Sequence, residues 1–157
     1  MHNLYIAPES TIGSLKDKYR IFLAGSIDMG DAVDWQQDAI KEIKLYNLST
    51  GVSIYNPRRK NWDSTWEQNI ENPNFYQQVN WELDCLEKST HIIMNLSKNS
   101  KAPISLLELG LFINTKKVFI VCEKGFYREG NVDIVCNRYR IPKYENLEEA
   151  IKEIFKN

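Results

Sequence analysis

The sequence carries no surplus of basic residues: 20 Lys and Arg stand against 21 Asp and Glu, for a formal net charge of -1. A chain that grips a phosphate backbone by counterion release needs such a surplus, so nucleic acid polymers are not expected partners. No apolar run approaches the roughly 20 residues of a membrane span, and no membrane association is expected. The segment MHNLYIAPES has neither a basic start nor a long apolar core, so it does not read as a secretion signal and a cytoplasmic address is expected. Cysteine is scarce. Cys85, Cys122 and Cys136 show no CxxC spacing, which argues against a disulfide framework or a zinc site and for buried, inert thiols. His91 has no Ser or Cys partner at triad spacing and is read as structural. Gly25-Ser26 lacks the further glycines of GxGxxG, so a dinucleotide fingerprint is missing too.

What is present is ordinary globular material, 157 residues with 43% apolar, enough for one domain spanning residues 1–157 with its own core. RIFLA, 20–24, reads as a buried strand that ends in the Gly25-Ser26 turn. A helix is expected from Asp31, its N-cap, to Leu48, with Val33, Ala39, Ile40, Ile43 and Leu48 on one face. VSIY, 52–55, is a second strand that stops at Asn56-Pro57 because proline removes a ladder donor. The polar stretch from Arg58 to Pro73 carries Trp62 and Trp66 and reads as a lid or binding loop. Asn74 to Lys88 returns to helix with Phe75, Val79, Leu83 and Leu86 inward, and HIIMNL, 91–96, is a third strand. Ala102-Pro103 opens a helix whose expected buried stripe is Ile104, Leu107, Leu111 and Phe112. VFIVC, 118–122, a short helical pattern around Val132 to Cys136, an extended segment near Arg140-Ile141 and an amphipathic helix from Leu147 to Phe155 complete the chain.

Strands alternating with helices predict an α/β, flavodoxin-like doubly wound fold, a mostly parallel sheet with helices on both faces. Ligands of such sheets bind beyond the carboxyl ends of the strands, where the strand order reverses. Gly25, Ser26, Ile27, Asn56, Arg58, Arg59 and Asn95 are all placed on that edge.

Glu108 sits among Leu106, Leu107 and Leu109, either as a surface glutamate on the polar side of its helix or as a partly desolvated carboxylate. Ser105 lies one turn earlier on the same face, and Gly110 leaves room for another backbone. Glu82, between Trp81 and Leu83 on the preceding helix, is a second candidate, with Asp84 and Glu87 as neighbouring alternatives. Two such carboxylates suit a nucleophile and an acid/base partner, as in retaining glycosidases, although each alone also fits a solvated helix position. Arg58 and Arg59 suit a phosphate or a base edge, or simple salt bridges.

IFLAGSI, the tryptophan of DAVDWQQ, NPRRKNW, FYQQVNWELDCLEKSTHII, PISLLELG and GFYREGNVDIVC occur in one order between about Ile21 and Tyr139. In these motifs the chain resembles the nucleoside 2-deoxyribosyltransferase superfamily, particularly its branch of short deoxyribosyltransferase-like proteins. The resemblance implies that Glu108 attacks the anomeric carbon of a 2'-deoxynucleoside and forms a deoxyribosyl ester, which a second base or water resolves. It implies that Glu82 stands where the family has a sugar-holding aspartate, and that Ala102 replaces a further aspartate six residues before the nucleophile. Asn131, with Asp133 beside it, stands at the place of an asparagine that reaches a neighbouring subunit's site, which implies a homo-oligomer of at least two copies. Gly25, Ser26, Ile27, Asn56, Arg58, Arg59, Trp62 and Ser105 are the remaining substrate-binding candidates. No metal or organic cofactor is implied; the partners are a small deoxynucleoside or deoxynucleotide and a nucleobase. Two alternatives accompany this expectation. One is a 2'-deoxynucleoside 5'-monophosphate N-glycosidase, with Arg58, Arg59 or Ser26 on the phosphate. The other is a non-catalytic nucleotide-binding sensor, motivated by Ala102.

Overall fold

The computed structural model describes residues 1–9, 12–27, 33–59, 63 and 65–156. Short apolar runs bounded by turn residues form strands, and the helical segments between them supply the crossovers that parallel pairing requires. Along the chain the elements are β1 (His2–Ile6), β2 (Tyr19–Gly25), α1 (Trp35–Leu45), β3 (Val52–Asn56), α2 (Pro73–Lys88) and β4 (His91–Leu96). There follow α3 (Pro103–Phe112) with a single 3-10 turn, β5 (Val118–Cys122), α4 (Glu129–Tyr139), β6 (Lys143–Tyr144) and α5 (Leu147–Phe155).

The six strands form one sheet in the order β1-β3-β2-β4-β5-β6, every pair parallel. From β2 the chain moves one way to β3, then crosses back to β4 and continues to β5 and β6. The order therefore reverses between β2 and β4, as in a flavodoxin-like sheet. Right-handed crossovers then place α1 and α5 on one face and α2, α3 and α4 on the other. One core layer holds Trp81, Cys85 and Leu86 of α2, Leu109 of α3, and Val132 and Cys136 of α4 against Phe22, Ala24, Tyr55 and Met94. The other packs Ala39, Ile40 and Ile43 of α1 and Ile151 and Ile154 of α5 against Ile21, Leu23, Ile54 and Ile93. Among the described residues no helix is long and apolar enough to cross a membrane.

Several boundaries differ from the sequence expectation. Helix α1 starts later, where the Asp34 carboxylate accepts from the Gln37 amide; Val33, placed on the buried face, precedes the helix and is 82% exposed. Asp31, the expected cap, lies outside the described residues. The segment HNLYI was not read as a strand, yet it pairs residue for residue with β3. The last extended segment falls at Lys143–Tyr144, because Arg140 takes the left-handed conformation (φ 57) that ends α4.

The larger correction concerns α3. Ile104, Leu107 and Leu111, expected inside, are 58%, 61% and 55% exposed, while Ser105, Glu108 and Leu109 are buried. Hydrophobicity alone selects the wrong face here, because the inward positions hold a hydroxyl and a carboxyl. Gly110 faces open space, so no neighbouring backbone explains it. In α2 the stripe is likewise displaced, with Gln78, Trp81, Cys85 and Leu86 inward and Phe75, Val79 and Leu83 only partly covered.

Candidate active site

Because all strands are parallel, Gly25 and Asn56, the last residues of β2 and β3, and Asn95, the last but one of β4, lie on one edge of the sheet. Gly25 has φ 142, and a Cβ there would lie 2.2 Å from the Asn95 carbonyl oxygen and 2.9 Å from the Trp35 ring, so only glycine fits. The turn is then tied on three sides. The Ser26 amide donates to the Asn95 carbonyl at 3.0 Å, the Ser26 hydroxyl accepts from the Ser97 amide at 3.0 Å, and the Ser26 carbonyl accepts from Trp35 Nε1 at 3.0 Å. Ser26 is fully buried, so its hydroxyl stitches the ends of β2 and β4 together. Ile27 beside it is partly buried.

At the end of β3, Asn56 is buried and its side-chain oxygen accepts from the Arg58 amide at 3.0 Å, which turns the chain out of the sheet. Arg58 folds back toward the start of α1, donating to the Val33 carbonyl at 3.3 Å with its Nε 3.9 Å from the Asp34 carboxylate. Arg59 points the other way, its guanidinium 4.7 Å from the centre of the Trp66 ring and its Nη1 3.4 Å from Gln78 Oε1. Trp62 lies outside the described residues.

Helix α2 reaches this edge through Gln78, whose Nε2 donates to the Pro57 carbonyl at 3.1 Å and to Glu82 Oε1 at 2.7 Å. Burial pushes the Glu82 carboxyl up to about 7, against the opposing pull of the Gln78 hydrogen bond. Glu108 approaches from α3, whose N-terminal half follows the β4 end of the sheet. It is 7% exposed, and burial, joined by the charge of Glu82, pushes it up to about 8. Burial thus holds both carboxyls above the ordinary glutamate range, and the charge of Glu82 adds to the effect at Glu108. One member can then be an anionic nucleophile while the other is a proton donor. Ser105 is buried one turn before Glu108 on the same face.

At position 102 the resemblance leads one to expect an aspartate where this chain has alanine. Ala102 is left-handed (φ 43) at the N-cap of α3 and offers no side-chain hydrogen bond.

The remaining candidates stand apart. Asn131 is exposed on α4 and lines a groove of about 330 Å³ with Leu106, Leu109 and Gly110 of α3 and Arg128. Asp133 is paired with Lys143 on the far side of α4. His91, flanked by the Tyr19 and Phe119 rings, is pushed down to about 4 by burial and by Arg20 and Lys18, in keeping with a structural place. Burial likewise raises the three thiols, Cys85 to about 12 and Cys122 to about 11, although Cys122 is only partly buried. Among the described residues no group of three or more His, Cys, Asp or Glu could hold a metal ion. Sequence reasoning missed Gln78 and the role of Trp35. The recoverable signal for Gln78 is the stripe Gln78, Trp81, Glu82, Cys85, which has helical spacing but mixed polarity.

Comparison with known proteins adds one finding. The family model described as "Nucleoside 2-deoxyribosyltransferase like" matches residues 18–126. That span holds β2 to β5, both carboxylates and the arginine loop, and leaves out β1 and α4 with Asn131 and Asp133. No curated protein matches the chain.

Proposed function

Since the chain belongs to the nucleoside 2-deoxyribosyltransferase-like family, we propose that it cleaves and re-forms the N-glycosidic bond of 2'-deoxynucleosides, with Glu108 as nucleophile and Glu82 as acid/base partner. The observation that carries this reading is the buried Glu108 of α3 together with the partly buried Glu82, which Gln78 ties to the loop after β3 at the edge where the strand order reverses. In the first step a Glu108 oxygen bonds to the anomeric carbon, the C–N bond breaks, its electrons leave with the base, and Glu82 protonates the base nitrogen. The transition state has oxocarbenium character. In the free protein burial holds Glu108 up to about 8 and Glu82 up to about 7, so the positive charge developing on the sugar beside Glu108 is what draws it into the ionised form while Glu82 keeps its proton. In the second step an acceptor base attacks the same carbon, Glu108 leaves as carboxylate and Glu82 takes the proton back. Water in place of the acceptor makes the reaction hydrolytic.

Transfer is favoured over the monophosphate N-glycosidase because the expected phosphate ligands are already engaged: Ser26 by Ser97, Arg58 by Val33 and Asp34, Arg59 by Trp66 and Gln78. The reading extends to assembly. Ile104, Leu107 and Leu111 form an exposed apolar stripe on the outer side of the helix that carries Glu108, which supports a pair of copies meeting there. A cytoplasmic setting, where deoxynucleosides and free bases coexist, belongs to the same proposal.

The test is incubation with each deoxynucleoside and deoxynucleotide, with and without a free acceptor base. Base exchange is the expected result. Base release from monophosphates alone would establish the glycosidase instead, and silence on every substrate would leave a binding protein.

A further inference from the structure

Gln78 stands one turn before Glu82 on α2 and is 2% exposed. Its amide is held from both sides: Nε2 against Glu82 Oε1 at 2.7 Å and the Pro57 carbonyl at 3.1 Å, Oε1 against Arg59 Nη1 at 3.4 Å. The chemistry of the partners dictates which end faces where. A guanidinium only donates, and a backbone carbonyl only accepts, so a reversed amide would set oxygen against oxygen and NH2 against guanidinium. The loop after β3 and the middle of α2 therefore lock one orientation, and the NH2 group is turned toward Glu82.

We propose that Gln78 is the positioning residue of Glu82: by donating to Oε1 it fixes the carboxyl plane and leaves Oε2 as the oxygen that carries the proton exchanged with the nucleobase. The inference rests on the reading of Glu82 as the acid/base group. An amide NH2 has no lone pair to receive an O–H, so the proton of neutral Glu82 resides on the oxygen that Gln78 does not touch. When the base departs, the Oε2–H bond breaks, the proton moves to the base nitrogen, and the new carboxylate charge falls on a group already holding an N–H donor. Arg59 polarises the same amide from its oxygen end, which strengthens the donor at that moment. The charge of Glu82 is felt by Glu108 on α3, Arg59 acts on Gln78 from the loop after β3, and Asp84 and Cys85 follow Glu82 on its own helix.

The experiment combines carboxyl-carbon and side-chain amide NMR with kinetics on the full chain. In the wild type the Gln78 NH2 signals should move with the titration of Glu82, and flat signals would overturn the proposal without any variant. Gln78→Met keeps the length and removes the donor; Glu82 should then titrate at higher pH, because the lost bond favoured its ionised form. Its kcat should fall roughly ten- to hundredfold with a smaller change in KM, and the alkaline limb of its kcat profile should move to higher pH. Gln78→Glu, the same shape with the donor gone, should raise Glu82 further and covers the case in which the methionine variant fails to fold. A folded variant with an unmoved Glu82 titration and wild-type kcat overturns the positioning role. Failure of the parent reading looks different: the wild type itself neither exchanges nor releases base, while the NMR titrations, which need no turnover, still report on Gln78.

Discussion

Helix α5 buries Ala150, Ile151 and Ile154 against the sheet and turns Glu148 and Lys152 to solvent, whereas α3 buries Ser105 and Glu108 and leaves Ile104, Leu107 and Leu111 more than half exposed. Both helices pack on the same sheet, from opposite faces. Each large aliphatic side chain left outside forgoes roughly 1.5–3 kcal/mol of burial, and a desolvated carboxyl adds a further cost. A helix kept for stability alone would look like α5. Under the proposed function the inner face of α3 does chemistry and its outer face meets another copy.

The strongest way to sharpen this contrast is a pair of isosteric changes. Glu108→Gln should keep the fold and lower turnover by roughly a thousandfold or more, because an amide cannot form the glycosyl ester. Glu148→Gln on α5 should leave activity unchanged in the same base-exchange assay. Retained exchange in folded Glu108→Gln would remove the nucleophile and leave Glu82 as the alternative.

Next comes packing. Ile154→Ala should cost about 2–4 kcal/mol in denaturant unfolding, since the side chain is 2% exposed in a filled layer. Leu107→Ala on α3 should stay within about 0.5 kcal/mol at low protein concentration. Equal losses at the two positions would break the comparison.

A third effect follows from the carboxyl pair. Raised folded-state values mean that the native protein binds more protons than the unfolded chain between the ordinary glutamate range and about 8. Stability should therefore be full at the acidic end of that window and fall as pH rises through it. Glu108→Gln removes part of this penalty. It should unfold at higher denaturant than wild type at pH 8.5, by on the order of 2 kcal/mol, and the gap should close near pH 5. A gap independent of pH would sink the assignment of a desolvated pair.

The smallest effect on the folded chain, though not on its mass, is expected of Leu107→Glu. Light scattering should show the wild type as at least a dimer and the variant as a monomer, with unfolding free energy at low concentration altered by no more than about 0.5 kcal/mol. A wild-type monomer at high concentration would leave the stripe to a different partner.

The same contrast explains what was legible in the sequence. Strands β2 to β5 are short, mostly apolar runs that end near Gly25, Asn56 or polar turns, so their positions and the doubly wound fold class followed from pattern alone. Helix α5 was readable because its apolar positions are its buried ones. In α2 the rule found Leu86 but missed Gln78, and in α3 it missed Ser105 and Glu108, which occupy buried positions that a purely structural helix would give to Leu or Ile. Glu108 was still visible as a lone charge among leucines. Gln78 was not, because a neutral amide in a polar stretch carries no compositional signal until its partners Pro57 and Arg59 are brought in by the fold. His2–Ile6 and Lys143–Tyr144 escaped because one is short and carries polar residues and the other spans two residues only.

β1 lies outside the family-matched span and pairs along the whole of β3. Every residue of Val52–Asn56 is buried, and the hydrogen-bonding groups on its outer side are met by His2–Ile6, with the Ala7 amide closing the row on the Asn56 carbonyl at 3.1 Å. Trimmed to residues 18–126, the chain would present a flat, uncharged VSIYN edge with its ladder open, the template on which strands of separate molecules zip together. The N-terminal segment thus covers a sheet edge that the family-matched span by itself would leave unpaired.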